Sequence, residues 1–149
     1  MCGRFLLYSS PEALERSFGL ELTDKRPNLQ PRYNIAPTQQ VAVIGTKAGR
    51  RGLALMHWGL IPSWAKDRSL AARMINARGE SVHEKPAFRA AFKARRCLIP
   101  ADGFYEWHAE EGGKQPYVLE PVAGGPMAMG GLFERWRDPE GGDLWSCTI

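Results

Sequence analysis

Short apolar runs separated by glycine-rich turns are the feature that most restricts the fold of this chain. Pairs of such runs flank the segments TKAGRRG, EEGGK and RDPEGGD. Runs of about four to eight apolar or alternating residues, joined by turns that contain glycine, are typical of β-hairpins. The run GRFLLYS near the N-terminus predicts a further strand. Strands therefore dominate the chain, and we expect most of them to pair antiparallel.

Two segments have the pattern of short helices. SSPEALERSFGL combines a serine cap with Pro11 in the first turn and glutamates near the positive end of the helix dipole. EKPAFRAAFKARR places Phe88 and Phe92 four residues apart, beside a basic face, which predicts an amphipathic helix. The prolines of residues 23–39 predict a loop, and residues 61–81 form a long irregular segment of a kind that is usually functional. We expect an α+β domain, mainly an antiparallel sheet built from hairpins, barrel-like and flanked by short helices.

The composition is that of an ordinary globular protein. With 149 residues, of which 44% are hydrophobic and 24% are charged, the chain can bury one sizeable core. No apolar run approaches the ~20 residues that a membrane span needs. The N-terminus lacks the basic and apolar regions of a signal peptide. We therefore expect a cytoplasmic monomer without a membrane partner.

The three cysteines, Cys2, Cys97 and Cys147, are too few and too scattered for a disulfide framework. No C-x-x-C motif is present and no histidine lies at ligand spacing from any of them, so we expect no metal site and no cofactor. Cys97 and Cys147 lie in apolar runs that resemble strands. We expect both to be buried, unreactive thiols.

The positive charge is concentrated in the middle of the chain. The net charge is +4, but residues 66–96 contain nine Lys or Arg against three Asp or Glu, a local balance of +6. Residues 101–149 contain three against nine, a balance of −6. A basic segment rich in arginine favours a nucleic-acid partner. A basic surface that only contacts solvent is the alternative.

Cys2 stands directly behind the initiator methionine in the motif MCGRF. In one interpretation it is a small hydrophobic residue that opens a strand. In the other, removal of Met1 leaves an α-amine and a thiol on one residue. Their ordinary pKa values, about 7.7–8.0 and about 8.5, make both nucleophiles accessible near neutral pH. Such a 1,2-aminothiol captures an aldehyde as a Schiff base and closes it to a five-membered thiazolidine ring.

Two further motifs carry side chains suited to nucleic-acid binding or to acid–base catalysis. In MINARGES, Asn76 and Arg78 share a face if the segment is extended, which would place an orienting amide beside a phosphate-binding guanidinium. In PADGFYEWH, Glu106 lies among aromatic residues, and desolvation there suits a general acid–base catalyst. The alternatives are a turn with a surface arginine and a structural glutamate. The candidate stacking surfaces for unpaired bases are Trp58, Trp64 and Trp107.

Taken together and in this order, six motifs resemble the SRAP family, the SOS-response-associated peptidases or abasic-site processing proteins. The motifs are MCGRF, YNIAPTQ, WGLIPSWAKD, MINARGES, KPAFRAAFKARRCLIPADGFYEW and GLFERW. The resemblance implies a protein of the DNA damage response that binds single-stranded DNA and shields abasic sites. The family's domain continues through a segment of the form H-x-R-M-P, which residues 1–149 lack. We therefore expect a single SRAP-like domain that is missing its C-terminal segment and leaves the last strand, LWSCTI, without a partner.

The resemblance also implies a role for each candidate residue. After removal of Met1, Cys2 would form a thiazolidine crosslink with the aldehyde of the abasic sugar. Asn76 would position the amine and the sugar, and Glu106 would assist the proton transfers. The DNA-binding residues that it implies are Arg4, Arg78, Trp64 and Trp107. Two alternatives remain: a cysteine peptidase with Cys2 as nucleophile, and a non-catalytic single-stranded DNA-binding module.

Overall fold

Nine strands and three short helices make up the part of the chain that the structure describes, residues 2–21 and 27–149 of a computed structural model. The helices are α1 (Pro11–Phe18), a 3-10 helix (Arg68–Arg73) and α2 (Arg89–Ala94). The strands are β1 (Phe5–Leu7), β2 (Arg32–Ile35), β3 (Gln40–Lys47), β4 (Arg50–Trp58), β5 (Arg96–Ala101), β6 (Gly103–Glu110), β7 (Gly113–Leu119), β8 (Met127–Arg137) and β9 (Asp143–Thr148).

Five strands close into a barrel in the order β3-β4-β9-β8-β5, and the other four form a sheet in the order β2-β1-β6-β7. The three predicted hairpins, β3–β4, β6–β7 and β8–β9, all pair antiparallel. One contact differs, because β4 and β9 run parallel, with Trp58 opposite Cys147. This parallel contact closes the barrel. The predicted fold class, a mainly antiparallel and barrel-like α+β domain with short helices, is confirmed.

The expectation that the last strand lacks a partner is wrong. β9 pairs with β8 along one edge and with β4 along the other. Ile149 extends these contacts, since its N–H donates to the carbonyl oxygen of Ile75 at 3.1 Å. Its own carbonyl oxygen accepts from the N–H of Ala77 at 2.6 Å. The barrel therefore closes among the residues that the structure describes, and β9 lies inside it rather than at an edge.

The main core lies inside the barrel and beneath β1. In β3, four consecutive residues from Val41 to Ile44 are buried, and because successive side chains point to opposite faces, both faces of this strand are covered. Trp58 is fully buried and meets Phe5 edge to face, with ring centroids 5.2 Å apart. Aromatic pairs in this geometry add to the stabilisation that burial alone provides. The core thus joins the N-terminal strand to the barrel.

The helix at Pro11–Phe18 forms as its sequence predicts. The hydroxyl of Ser10 accepts from the N–H of Ala13 at 3.2 Å, and Gly19 ends the helix in the left-handed conformation with φ of 60°. Leu14 is its fully buried residue. Among the helices of the described residues, none has the length and apolar character that crossing a membrane requires.

Two other segments depart from their predicted structure. The second predicted helix covers only Arg89–Ala94, and its N-cap residue, Phe88, provides no side-chain hydrogen bond. Phe92 is 38% exposed. The proline-rich segment predicted as a loop contains β2, which pairs with β1 through Ile35 opposite Phe5. Its prolines flank the strand and therefore do not interrupt its hydrogen bonds. Residues 23–26 of that predicted loop lie outside the described residues.

Gly131 allows β5, β8 and β9 to pack closely. A Cβ atom at this position would lie 2.7 Å from the carbonyl oxygen of Thr148, 2.8 Å from Cδ1 of Ile99 and 3.2 Å from Sγ of Cys97. A main-chain oxygen cannot rotate away as a flexible side chain can. At the adjacent Gly130, an added Cβ would meet nothing within 4 Å. The two neighbouring glycines therefore differ in the space available for a side chain.

Replacing Gly131 by alanine is expected to lower the free energy of unfolding by about 1–3 kcal/mol, because the barrel strands must separate to admit the methyl group. The matched change Gly130→Ala should stay within about 0.5 kcal/mol of the unmodified protein. Urea denaturation followed by circular dichroism measures both variants. Equal losses in the two would contradict the close packing of the three strands at Gly131.

Candidate functional site

Cys2 lies against the segment that carries Asn76, although 74 residues separate them along the chain. The side-chain amide Nδ2 of Asn76 donates to the carbonyl oxygen of Cys2 at 2.7 Å. The thiol of Cys2 donates to the carbonyl oxygen of Arg4 at 3.4 Å, and the residue is 9% exposed. Both the carbonyl and the sulfur of Cys2 therefore have fixed partners.

Main-chain hydrogen bonds on both sides hold Asn76 in place. The carbonyl oxygen of Ile75 accepts from the indole Nε1–H of Trp58 at 2.8 Å and from the N–H of Ile149. On the other side of Asn76, the N–H of Ala77 donates to Ile149. The backbone is thus held at both flanking residues, and the side-chain amide of Asn76 is held by its bond to Cys2.

Glu106 lies on β6, which pairs with β1 beside the N-terminal residues. Burial raises the pKa of the Cys2 thiol, a main-chain hydrogen bond at Arg4 partly offsets the rise, and the negative charge of Glu106 adds to it. The net result is a pKa above the ordinary thiol value. At neutral pH the sulfur is therefore held as a thiol, and the charge that contributes to this comes from a half-buried residue, Glu106.

The two arginines that the resemblance implicates have different surroundings. The Arg4 guanidinium donates from Nη1 to the side-chain oxygen Oδ1 of Asn34 at 2.9 Å, which fixes its direction. Arg78 is exposed and begins a turn in which its carbonyl oxygen accepts from the N–H of Ser81 at 3.2 Å. Arg4 follows the candidate nucleophile by two residues, and Arg78 follows Asn76 by two. Positive charge thus borders both segments of the site.

Of the three candidate tryptophans, two are exposed and one is buried. Trp64 is 61% exposed and Trp107 is 44% exposed, so their ring faces are accessible to nucleic-acid bases. Trp107 and Tyr105 share a strand face, as the alternation predicts, with ring centroids 6.3 Å apart. The prediction that Trp58 is a stacking surface is wrong. Its side chain lies in the main core against Phe5, and its exposure is 0%.

The sequence reasoning missed two residues of β2. Asn34 orients Arg4, and Tyr33 is 62% exposed and stacks on Tyr8 with ring centroids 5.6 Å apart. The hydroxyl of Tyr105 donates to the carbonyl oxygen of Tyr33 at 2.6 Å. Both missed residues lie in the proline-rich segment predicted as a loop. A short apolar–polar alternation, RYNI, was the available signal.

The other cysteines and the histidines lie in different settings from Cys2. Cys97 and Cys147 are buried as expected. Burial raises the pKa of the Cys97 thiol to about 12, and it also raises the pKa of the Cys147 thiol above its ordinary value. His57 is half-buried, and burial, together with the nearby charge of Arg68, lowers its pKa. Within residues 2–21 and 27–149, no group of three or more His, Cys, Asp or Glu side chains is placed to hold a metal ion.

Comparison with known proteins gives consistent matches along the chain. The family model described as SOS response associated peptidase (SRAP) matches residues 1–149. The abasic site processing protein YoqW of Bacillus subtilis (strain 168) is 40% identical over 150 residues, which cover all of this chain and 67% of that protein. The abasic site processing protein HMCES of Xenopus tropicalis is 30% identical over 192 residues, covering all of this chain and 57% of that protein.

Solved structures share the fold. A protein from Bacteroides thetaiotaomicron superposes with a TM-score of 0.89 at 23% identity, over 99% of this chain and 67% of that one. A protein from Bordetella bronchiseptica gives a TM-score of 0.81 at 27% identity, over 99% of this chain and 71% of that one. The chain thus spans about two thirds of the length of its Bacillus relative. Because the family model covers residues 1–149, this chain belongs to the SRAP family.

Proposed function

We propose that this protein captures abasic sites in single-stranded DNA as a covalent thiazolidine crosslink through Cys2, after Met1 has been removed. The observation that carries the proposal is the 2.7 Å hydrogen bond by which Asn76 orients the main chain of Cys2. Met1 lies outside the described residues, so its removal belongs to the proposal. The names of the Bacillus and Xenopus relatives, abasic site processing proteins, support the class of substrate.

The reaction begins at the α-amine of Cys2. An abasic site in its ring-opened form carries an aldehyde at C1′, and the amine adds to this carbon. Loss of one water molecule then gives a Schiff base. Asn76 holds the adjacent carbonyl group and so limits the directions in which the amine can point. Glu106 is the group suited to donate and accept the protons of the addition and dehydration steps.

Ring closure follows at the sulfur. Sγ of Cys2 forms a bond to the imine carbon, the thiol loses its proton, and the imine nitrogen gains one. The product is a five-membered thiazolidine, and water is the only molecule released overall. A carboxylate near the sulfur is suited to accept the proton of the thiol.

The surroundings of the site support a single-stranded ligand. Unpaired bases stack on exposed aromatic rings, as Trp64 and Trp107 offer, and the DNA backbone is attracted to exposed basic side chains. Arg4 and Arg78 are the arginines nearest to the two reacting segments along the chain. A peptidase thiol is activated by an adjacent base, whereas the Cys2 thiol donates to the carbonyl oxygen of Arg4, which disfavours that alternative.

A denaturing gel tests the crosslink. Protein whose Met1 removal has been verified by mass spectrometry is incubated with single-stranded DNA that contains one abasic site. We expect a denaturation-resistant band that disappears in Cys2→Ala and forms about tenfold more slowly in Asn76→Ala, because the orienting hydrogen bond is lost. Cys97→Ala is the matched control and should retain the band. A salt-sensitive complex without a band, or cleavage of an added peptide, would contradict the proposal.

Removal of the Glu106 charge is expected to lower the pKa of the Cys2 thiol. The carboxylate raises that pKa, so Glu106→Gln should move the titration midpoint to lower pH, while crosslinking at neutral pH slows because the acid–base group is absent. The rate of Cys2 alkylation by iodoacetamide, followed across pH by peptide mass spectrometry, gives the midpoint. Glu110→Gln, on the same strand, should leave it unchanged. An upward movement in Glu106→Gln would be inconsistent with this account.

Trp64→Ala removes an exposed indole. We expect it to weaken binding of undamaged single-stranded DNA by about 1–3 kcal/mol, the usual contribution of one stacked base. Trp145→Ala is the control, since Trp145 is also exposed but its ring lies against Phe133 and the Arg135 guanidinium. Fluorescence anisotropy at one fixed salt concentration measures both affinities. Equal losses in both variants would argue against stacking at Trp64.

A further inference from the structure

We propose that Trp58 is a positioning residue for the Cys2 reaction and that it acts through Asn76. The inference rests on the proposed function and extends its machinery to a buried side chain. Trp58 ends β4, has 0% exposure, and contacts both the segment that carries Asn76 and the strand that follows Cys2. Its position inside the barrel excludes contact with DNA, so any effect on the reaction must pass through other residues.

The first contact is with the segment that carries Asn76. The Trp58 indole Nε1–H donates to the carbonyl oxygen of Ile75 at 2.8 Å. That carbonyl and the N–H of Asn76 belong to one planar peptide group. Fixing the oxygen therefore fixes the plane to which Cα of Asn76 is attached. The Ile149 N–H holds the same oxygen from a second direction, at 3.1 Å.

The second contact is with the strand that follows Cys2. Phe5 opens β1 three residues after Cys2, is 1% exposed, and meets Trp58 edge to face at 5.2 Å. Trp58 itself is anchored, since its N–H donates to Gln39 at 2.9 Å and its carbonyl accepts from Thr38 at 2.8 Å. One rigid indole thus sets the spacing between the two segments that meet at the Asn76–Cys2 hydrogen bond.

A second buried tryptophan provides a matched comparison. Trp136 is 2% exposed, and its Nε1–H donates to the carbonyl oxygen of Ala65 at 2.7 Å. In both tryptophans the buried indole N–H donates to a carbonyl oxygen in a loop, and buried tryptophans usually find such a partner. The acceptor of Trp58 is the residue directly before Asn76, whereas the acceptor of Trp136 lies eleven positions before Asn76. If Trp58 had a purely structural role, removing its N–H or that of Trp136 would affect Asn76 and the crosslinking rate to a similar degree. If Trp58 positions Asn76, only the change at Trp58 affects them.

The first test uses the free protein without DNA. Trp58→Phe removes the N–H donor and keeps an aromatic ring, and Trp136→Phe makes the same change elsewhere. In ¹⁵N–¹H spectra, the side-chain amide signals of Asn76, assigned by their loss in Asn76→Ala, should move toward the free-amide position in Trp58→Phe only. If that variant does not fold, replacing Trp58 by 3-benzothienylalanine removes the N–H at nearly constant volume. Unmoved Asn76 signals in the folded protein would overturn the proposal.

The second test measures crosslinking at saturating abasic DNA. We expect Trp58→Phe to lower the rate constant about threefold to tenfold, the range for one lost hydrogen bond, and to leave the affinity for undamaged DNA unchanged. Trp136→Phe should keep the rate. In an Asn76→Ala background, Trp58→Phe should have no further effect, because the two residues act in series. An undiminished effect there would overturn the proposal.

The two tests separate this inference from the proposed function. If the unmodified protein forms no crosslink, the proposed function fails, and the amide signals of Asn76 still decide whether Trp58 positions it. If the unmodified protein crosslinks and Trp58→Phe matches it in both rate and spectrum, the proposed function stands and the positioning role is rejected.

Discussion

The parallel contact between β4 and β9 is the constraint on which the candidate site depends. It covers only two residue pairs, yet it closes the barrel and buries Trp58 at the end of β4. The same closure carries Ile149 to the main chain on both sides of Asn76. Without this contact, the irregular segment around Asn76 would lose its fixed position relative to Cys2. Barrel closure, more than any local preference of MINARGES, therefore assembles the site.

The first helix and the hairpins could be predicted from the sequence, because residues within each of them determine its structure. The helix at Pro11–Phe18 carries its own caps, and each hairpin carries its own turn residues, so their sequences suffice. β2 and the β4–β9 contact depend on strands that are distant in the chain. Nothing within residues 23–39 indicates that Ile35 will pair with Phe5. The burial of Trp58 follows from such a distant contact and could not be inferred from WGLIPSWAKD alone.

For the site, the sequence contains the residue types, the resemblance implies their roles, and the structure supplies the geometry. The Asn76–Cys2 hydrogen bond joins residues 74 positions apart, a relation that no spacing within either motif contains. Asn34 was missed because its importance lies in its contact with Arg4, which exists only once β2 is placed beside β1. The raised pKa of the Cys2 thiol likewise arises from burial and from a charge on another strand.

That raised pKa has a consequence for the survival of the sulfur in the cell. Peroxide and most electrophiles react with a thiolate, so a cysteine held in its protonated form is protected against oxidation. Under the proposed reaction this protection does not block capture of the lesion. Once the amine has joined the aldehyde, the sulfur and the imine carbon are tethered, and their high effective concentration compensates for weak nucleophilicity. Under the proposed reaction, the fold would thus combine a thiol that is protected at rest with reactivity toward a tethered aldehyde.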